Sequence, residues 1–315
     1  MKKKINVSNM SALIVLLVLC LFLSVAEPAF RSFGNLINIL QQVTVIAVLA
    51  LGVNVVIFTG GIDISVGSVV AFTGIVMGKI IVEAGLSPVL GVLVALLVGV
   101  LCGTFNGVMI AKFKLQPMIA TLAMMSMARG AALTLADGQT ITGYSDGFRW
   151  IGVGVIPGTQ IPVQIIFMVL LYLVFYYVMK YRKFGRYIYS IGGNEEATRL
   201  SGIDVDRYKI AAYSVSGLCA ALASVILVAK LNSAQSTAGL DYEMDAIASC
   251  VIGGTSLLGG FGSVWGTFIG AIIMIVIRNG LNLLNISSNL QKLVIGVVIL
   301  LAVLADALRH RGGKK

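Results

Sequence analysis

Long apolar runs alternate with short polar connections along almost the whole chain. About ten such runs stand out, near residues 10–29, 43–60, 65–84, 88–111, 116–136, 161–179, 210–231, 243–258, 263–281 and 289–308. A hydrocarbon layer about 30 Å thick takes roughly 20 apolar residues as a helix, and most of the runs have that length. They are continuously apolar. Strands of a membrane barrel would alternate polar and apolar positions, so helices are the spanning form. The eighth run is short, glycine-bounded and carries Asp245. It reads as a span or as a re-entrant segment. The expected fold class is an all-α polytopic membrane protein, with one transmembrane domain over residues 1–315 and about ten helices.

Composition agrees with this pattern. Of 315 residues, 58% are hydrophobic and 11% are charged, against about 25% charged in a soluble domain. The net charge is +10, which by itself suits a nucleic-acid binder. The positions of the charges argue otherwise. Basic residues cluster at Lys2–Lys4, at Lys112 and Lys114, between Lys180 and Lys209, and in the C-terminal tail; these regions hold 16 of the 23. Ten spans put all four regions on one face, and Lys/Arg-rich loops are cytoplasmic. Both termini are then cytoplasmic. The excess positive charge is an orientation signal, and no nucleic-acid partner is expected. The N-terminus also has features of a signal peptide, with Ser24-Val25-Ala26 resembling a cleavage site. The length of its apolar run favours an uncleaved first span.

Several chemistries lack their residues. The four cysteines sit in apolar runs and the single histidine, His310, lies in the basic tail, so a metal or haem centre has no ligand set. No phosphate-binding loop is present; the nearest run, Gly74 to Lys79, fails in both spacing and hydroxyl. No cofactor is expected. An intramembrane enzyme would need a nucleophile with a base, and none is apparent. An ion-coupled transporter would need paired ionisable groups along its spans; Asp63, Arg129 and Asp245 are sparse for that.

Two stretches carry candidate function. The first is Gly60-Gly61-Ile62-Asp63-Ile64-Ser65-Val66-Gly67. Its paired glycines end one helix, and Asp63 or Ser65 suits the cap of the next. An ionisable group between spans is a candidate for gating or for the pathway, against the plainer reading of an interfacial cap. This stretch has a weak echo at Gly253–Gly270, where another glycine-rich break leads into Gly-Ser-Val. Transporters are often built from such repeats, although glycine also serves close helix packing. Polar residues near the breaks are Asn54, Thr59, Ser68, Asn232, Gln235 and Asn282. Tyr144, Arg149 and Trp150 lie in the longest external loop. None is assigned to a solute.

The second stretch is the long loop from 180 to 209. Asn194 suits an N-cap, Glu195 and Glu196 suit the positive end of a helix, and Gly202 suits its stop. A two-turn helix is marginal alone in water, so it calls for a partner surface.

Glu196-Ala197-Thr198-x-x-x-Gly202 resembles the Glu-Ala-Ala-x-x-x-Gly loop of ABC importer permeases, with Thr198 in place of the second Ala. Asn38-Ile-Leu-Gln-Gln, the Gly61–Ser68 run, Gly185-Arg-Tyr-Ile-Tyr, Gly253-Gly254-Thr-Ser-Leu and Asn279-Gly-Leu-Asn extend the resemblance over the full length. The chain resembles the permease subunit of a ribose-type sugar ABC importer. That resemblance implies two permease chains around one path, a separate ATPase subunit below, and a periplasmic or lipid-anchored sugar-binding protein above, all in a bacterial inner membrane. It implies that residues 194–202 couple to the ATPase, through Asn194, Glu195, Glu196, Ala197, Thr198, Arg199 and Gly202.

Overall fold

The computed structural model describes residues 7–312; the lysines at 2–4 and 314–315, and the side chains of Arg309 and Arg311, lie outside the description. Thirteen α-helices carry the described fold. They are α1 (Val7–Ala26), α2 (Phe33–Phe58), α3 (Val66–Gly78), α4 (Pro88–Ala111), α5 (Pro117–Ala136), α6 (Asp146–Val153), α7 (Val163–Tyr181), α8 (Lys183–Gly193), α9 (Glu195–Leu200), α10 (Val205–Leu231), α11 (Tyr242–Ile252), α12 (Val264–Leu283) and α13 (Ser288–Gly312). Two-residue strands β1 (Ile141–Thr142) and β2 (Ser233–Ala234) pair antiparallel and tie the α5–α6 and α10–α11 connections together.

Eight of the described helices are long and apolar enough to cross a membrane, counting α3 with its π-helical extension to Glu83. The expected ten therefore differ at two places. The apolar part of α1 is the shorter stretch Ala12–Ala26. The eighth run forms α11, of 11 residues. At 1.5 Å per residue it is about 16 Å long, half the hydrocarbon thickness. It is followed by an irregular stretch, residues 253–263. The second helix is also longer than its apolar run suggested, because Ser32 caps it early: the Ser32 hydroxyl accepts from the Asn35 N–H at 3.2 Å.

α2 is the axis of the bundle. Every residue from Val43 to Phe58 is buried. A helix apolar on all sides belongs inside, and α10, α11, α12 and α7 pack around it. α13 is almost wholly unburied, and Leu293, Val297, Leu300 and Leu304 project from it. α4 and α10 cross closely because α4 carries glycines four apart. A Cβ added at Gly99 would lie 2.5 Å from the Gly217 carbonyl oxygen, and one at Gly107 would lie 2.6 Å from the Ile210 Cα. Membrane helices gain little from apolar burial against each other, so such close backbone contact is what holds them. α1 docks on α12, its Leu23 side chain set against Gly280.

The charge in the eighth run is compensated. Asp245 of α11 is buried and pairs with Arg278 of α12 at 2.8 Å. Removing Arg278 would strand the Asp245 carboxylate in the interior, a cost of several kcal/mol.

Candidate functional site

The first candidate stretch is a helix break that enters the bundle as irregular chain. α2 ends at Phe58, and the Thr59 hydroxyl donates back to the Val56 carbonyl at 2.7 Å. Gly60 turns the chain with φ +79°, a conformation glycine takes without steric cost. Residues 61–65 then form no regular element until α3 starts at Val66. These residues lack helical partners, and a side chain of a neighbouring helix supplies one. Thr121 of α5 donates to the Ile62 carbonyl at 3.4 Å.

Asp63 and Ser65 do not act as the expected helix cap. Neither makes a side-chain bond to the first turn of α3. Asp63 Oδ1 accepts from the Ser65 N–H at 3.0 Å and from its hydroxyl at 2.6 Å. Asp63 Oδ2 accepts from the Ser216 hydroxyl of α10 at 2.8 Å. The Ser65 hydroxyl in turn accepts from the Asn106 amide of α4 at 3.1 Å. Both side chains are thus occupied across the bundle, which leaves neither for the N-terminus of α3. Asp63 is 1% exposed and has no cationic partner among the described residues. Gly61 lies against the Tyr213 hydroxyl, and Gly67 against the Gly239 carbonyl and the Glu243 carboxylate, each too close for a side chain.

The second glycine-rich stretch meets the first in space. The Gly260 N–H donates to the Phe58 carbonyl at 3.0 Å. A Cβ on Gly259 would lie 2.7 Å from the Gly60 nitrogen and 3.0 Å from the Gly192 Cα. Three glycine pairs, 60–61, 192–193 and 259–260, therefore converge backbone to backbone at the end of α2. Both breaks lead into helices that begin at valine, Val66 and Val264. They differ at the cap, since Ser263 accepts from the Gly266 N–H at 3.3 Å.

α8 brings the third glycine pair. Its buried face includes Gly185, Ile188 and Ile191, and its Tyr189 ring lies against Phe58, tilted by 37° with centroids 4.5 Å apart. α9 follows directly. The Asn194 side chain accepts from the Ala197 N–H at 2.9 Å, the cap expected there. Gly202 closes the helix with φ +80°. Thr198 is buried, and its hydroxyl donates to the Asn194 carbonyl at 2.7 Å.

A line of charges clamps α9 to the bundle. Glu195 pairs with Lys209 of α10 and, at 3.4 Å, with Arg199. Arg199 pairs with Asp206 of α10 at 2.7 Å, and Asp206 with Lys114 at 3.1 Å. Partial burial pushes the Glu195 carboxyl up, but Lys209 and Arg199 outweigh it and hold the group below the usual range. Glu195 and Arg199 are thus engaged within the chain. Glu196, Ala197, Leu200 and Ser201 form the outward face, with Leu200 83% exposed. The clamp's far members, Lys114, Asp206 and Lys209, were visible in the sequence only as loop charges, and Ser216 and Asn106 had no local signal.

Other polar residues take structural roles. Asn54 accepts from the Thr255 hydroxyl at 2.9 Å, linking α2 to the second break. Asn232 ends α10 and accepts from the Tyr144 N–H at 3.2 Å. Arg149 pairs with Asp146 at 3.4 Å, and Trp150 is exposed.

Residues 35–303, which include both breaks and the whole α8–α9 segment, match the model of the family described as branched-chain amino acid transport system / permease component. The chain belongs to this permease family. The permease is 48% identical over 299 residues to the ribose import permease protein RbsC of Escherichia coli (strain K12), covering 94% of this chain and 92% of the relative. It is 45% identical over 293 residues to the RbsC protein of Bacillus subtilis (strain 168), covering 92% and 90%. It is 34% identical over 306 residues to the fructose import permease protein FrcC of Rhizobium meliloti, covering 93% and 83%. No solved structure matches the permease. The resemblance carried by the loop and glycine motifs is borne out by these relatives.

Proposed function

We propose that the protein is the membrane-spanning permease subunit of an ATP-binding-cassette importer that passes ribose. The observation that carries this is the 48% identity to a ribose import permease over 94% of the chain. In this reading ATP is hydrolysed by a separate subunit, which seats α9 in a groove. A periplasmic or lipid-anchored sugar-binding protein delivers the sugar from the other side. A second copy of the chain completes the path in the bacterial inner membrane, and the lipid-facing leucines of α13 are available to that copy or to lipid. Both termini and α9 are cytoplasmic by the distribution of lysine and arginine.

The coupling role falls on residues 194–202, of which the outward face, Glu196 with Leu200, is the part left free to meet another protein. Asp63 and the Gly60–Gly67 break serve the moving parts of the pathway rather than a proton relay. Among the described residues, the hydrogen bonds around Asp63 come from serines and an amide, and no second carboxylate, histidine or lysine joins them. Co-purification from the native membrane tests the assignment. An ABC ATPase and a sugar-binding protein are expected to come with the chain, and the reconstituted complex is expected to hydrolyse ATP faster with ribose-loaded binding protein. Ribose uptake driven by an ion gradient without any ATPase would overturn it.

A further inference from the structure

A polar cavity of about 300 Å³ lies between the first half of α2 and the facing ends of α10, α11, α12 and α13. It is distinct from the Asp63 network and from the α8–α9 segment. By the orientation proposed above it sits toward the external face. Its polar wall is formed by Lys230, Asp245, Arg278, Asn282 and Gln291. Aliphatic side chains, including Leu227 and Ile275, complete the other wall.

The wall is fixed before any ligand arrives. Arg278 is held by Asp245 at 2.8 Å. The Gln291 amide donates to Asn282 Oδ1 at 2.9 Å and to the Ile286 carbonyl at 2.8 Å. Two donors remain free among the described residues. Lys230 is half-buried with no hydrogen-bond or ion-pair partner, and the Arg278 Nε–H is buried without an acceptor. Buried donors without acceptors are costly, so such a wall is better satisfied when occupied.

The chemistry selects the occupant. Asp245 disfavours an anion, and Lys230 with Arg278 disfavours a cation. Donors and acceptors stand side by side against an aliphatic wall. A sugar ring has the same two characters, hydroxyls at its edge and C–H groups on its faces. At about 30 Å³ per water the cavity holds roughly ten waters, a volume of the order of one monosaccharide. We propose that this cavity is a weak binding site for a neutral monosaccharide, an entry station for the sugar after its release. It rests on the permease reading, and it adds the place where the sugar is held.

Saturation-transfer NMR with D-ribose and the purified permease in lipid nanodiscs tests it. Signal is expected from the unmodified chain, and about tenfold weaker binding from Lys230→Met and from Asn282→Leu, which remove hydrogen bonds to the ligand. Both leave the Asp245–Arg278 pair intact; Lys230→Met breaks no described hydrogen bond or ion pair, and the melting temperature of Asn282→Leu, which loses the Gln291 bond, is measured beside its binding. A Gln291→Cys protein supplies a second readout, in which D-ribose slows labelling by a maleimide. Binding unchanged in both variants, absence of any D-ribose signal, or preference for ribose 5-phosphate over ribose would each overturn the cavity assignment. Uptake by the assembled importer is measured in parallel. Ribose uptake without binding here leaves the permease reading standing and removes the site. A different neutral sugar bound here, with no ribose uptake, does the reverse.

Discussion

At the scale of single residues, Asp63 shows what a buried carboxylate can do without a counter-charge. It accepts three hydrogen bonds, and through Ser65 and Ser216 it ties the irregular break to α4 and α10. Its oxygens matter more than its charge if the role is to hold the break. Asp63→Asn keeps an acceptor in place and is expected to leave the melting temperature of the purified permease close to native. Asp63→Leu strands the Ser65 N–H and the Ser216 hydroxyl, each at about 1–3 kcal/mol, and is expected to lower it clearly. Equal damage from both would show that the negative charge itself is required. The break in the helix was legible from its glycines. The cap assigned to it was not, because the competing partners, Asn106 and Ser216, lie 41 and 153 residues away in sequence.

At the scale of elements, α9 is a six-residue helix that no isolated peptide would keep. Its cap and stop were readable from Asn194 and Gly202, since both act through neighbours in sequence. The division of its charges was not, since it depends on where α10 and Lys114 arrive. That division makes two classes of variant. Glu196→Lys alters only the outward face and is expected to abolish ribose-stimulated ATP hydrolysis while the melting temperature stays within about 0.5 kcal/mol equivalent of native, as for most surface changes. Arg199→Ala releases the clamp and is expected to increase amide hydrogen exchange over residues 195–201. Acid acts on the same clamp. The Glu195 pKa is lowered in the folded chain, so its contribution is complete above the ordinary Glu value, about 4.3. It is lost as pH falls through the lowered one. Faster exchange of α9 amides is therefore expected only below about pH 4.3. The contribution is small, because these groups are partly exposed and screened. Faster exchange already at pH 6 would contradict this account.

At the scale of the whole molecule, the apolar pattern showed the class of fold and most of its helices. It overstated the eighth run, since apolarity continues through the irregular residues 253–263 where the helix does not. The orientation rests on loop charge and is open to a direct check. Ser201 and Thr159 are exposed at opposite ends of the proposed bundle. With Cys20 replaced by serine, Thr159→Cys is expected to react with an impermeant maleimide on intact cells, and Ser201→Cys only after the membrane is opened. The reverse pattern would invert the topology. The meeting of Gly60, Gly192 and Gly259 bears on how such a molecule diversifies. Because α8, which leads directly into α9, meets the two breaks through main-chain atoms, the link that the proposed coupling would use is indifferent to the side chains that face the solute. On the proposed coupling role, the cargo can be changed by editing the pathway while the transmission is inherited intact, as a gearbox is shared between vehicles that carry different loads.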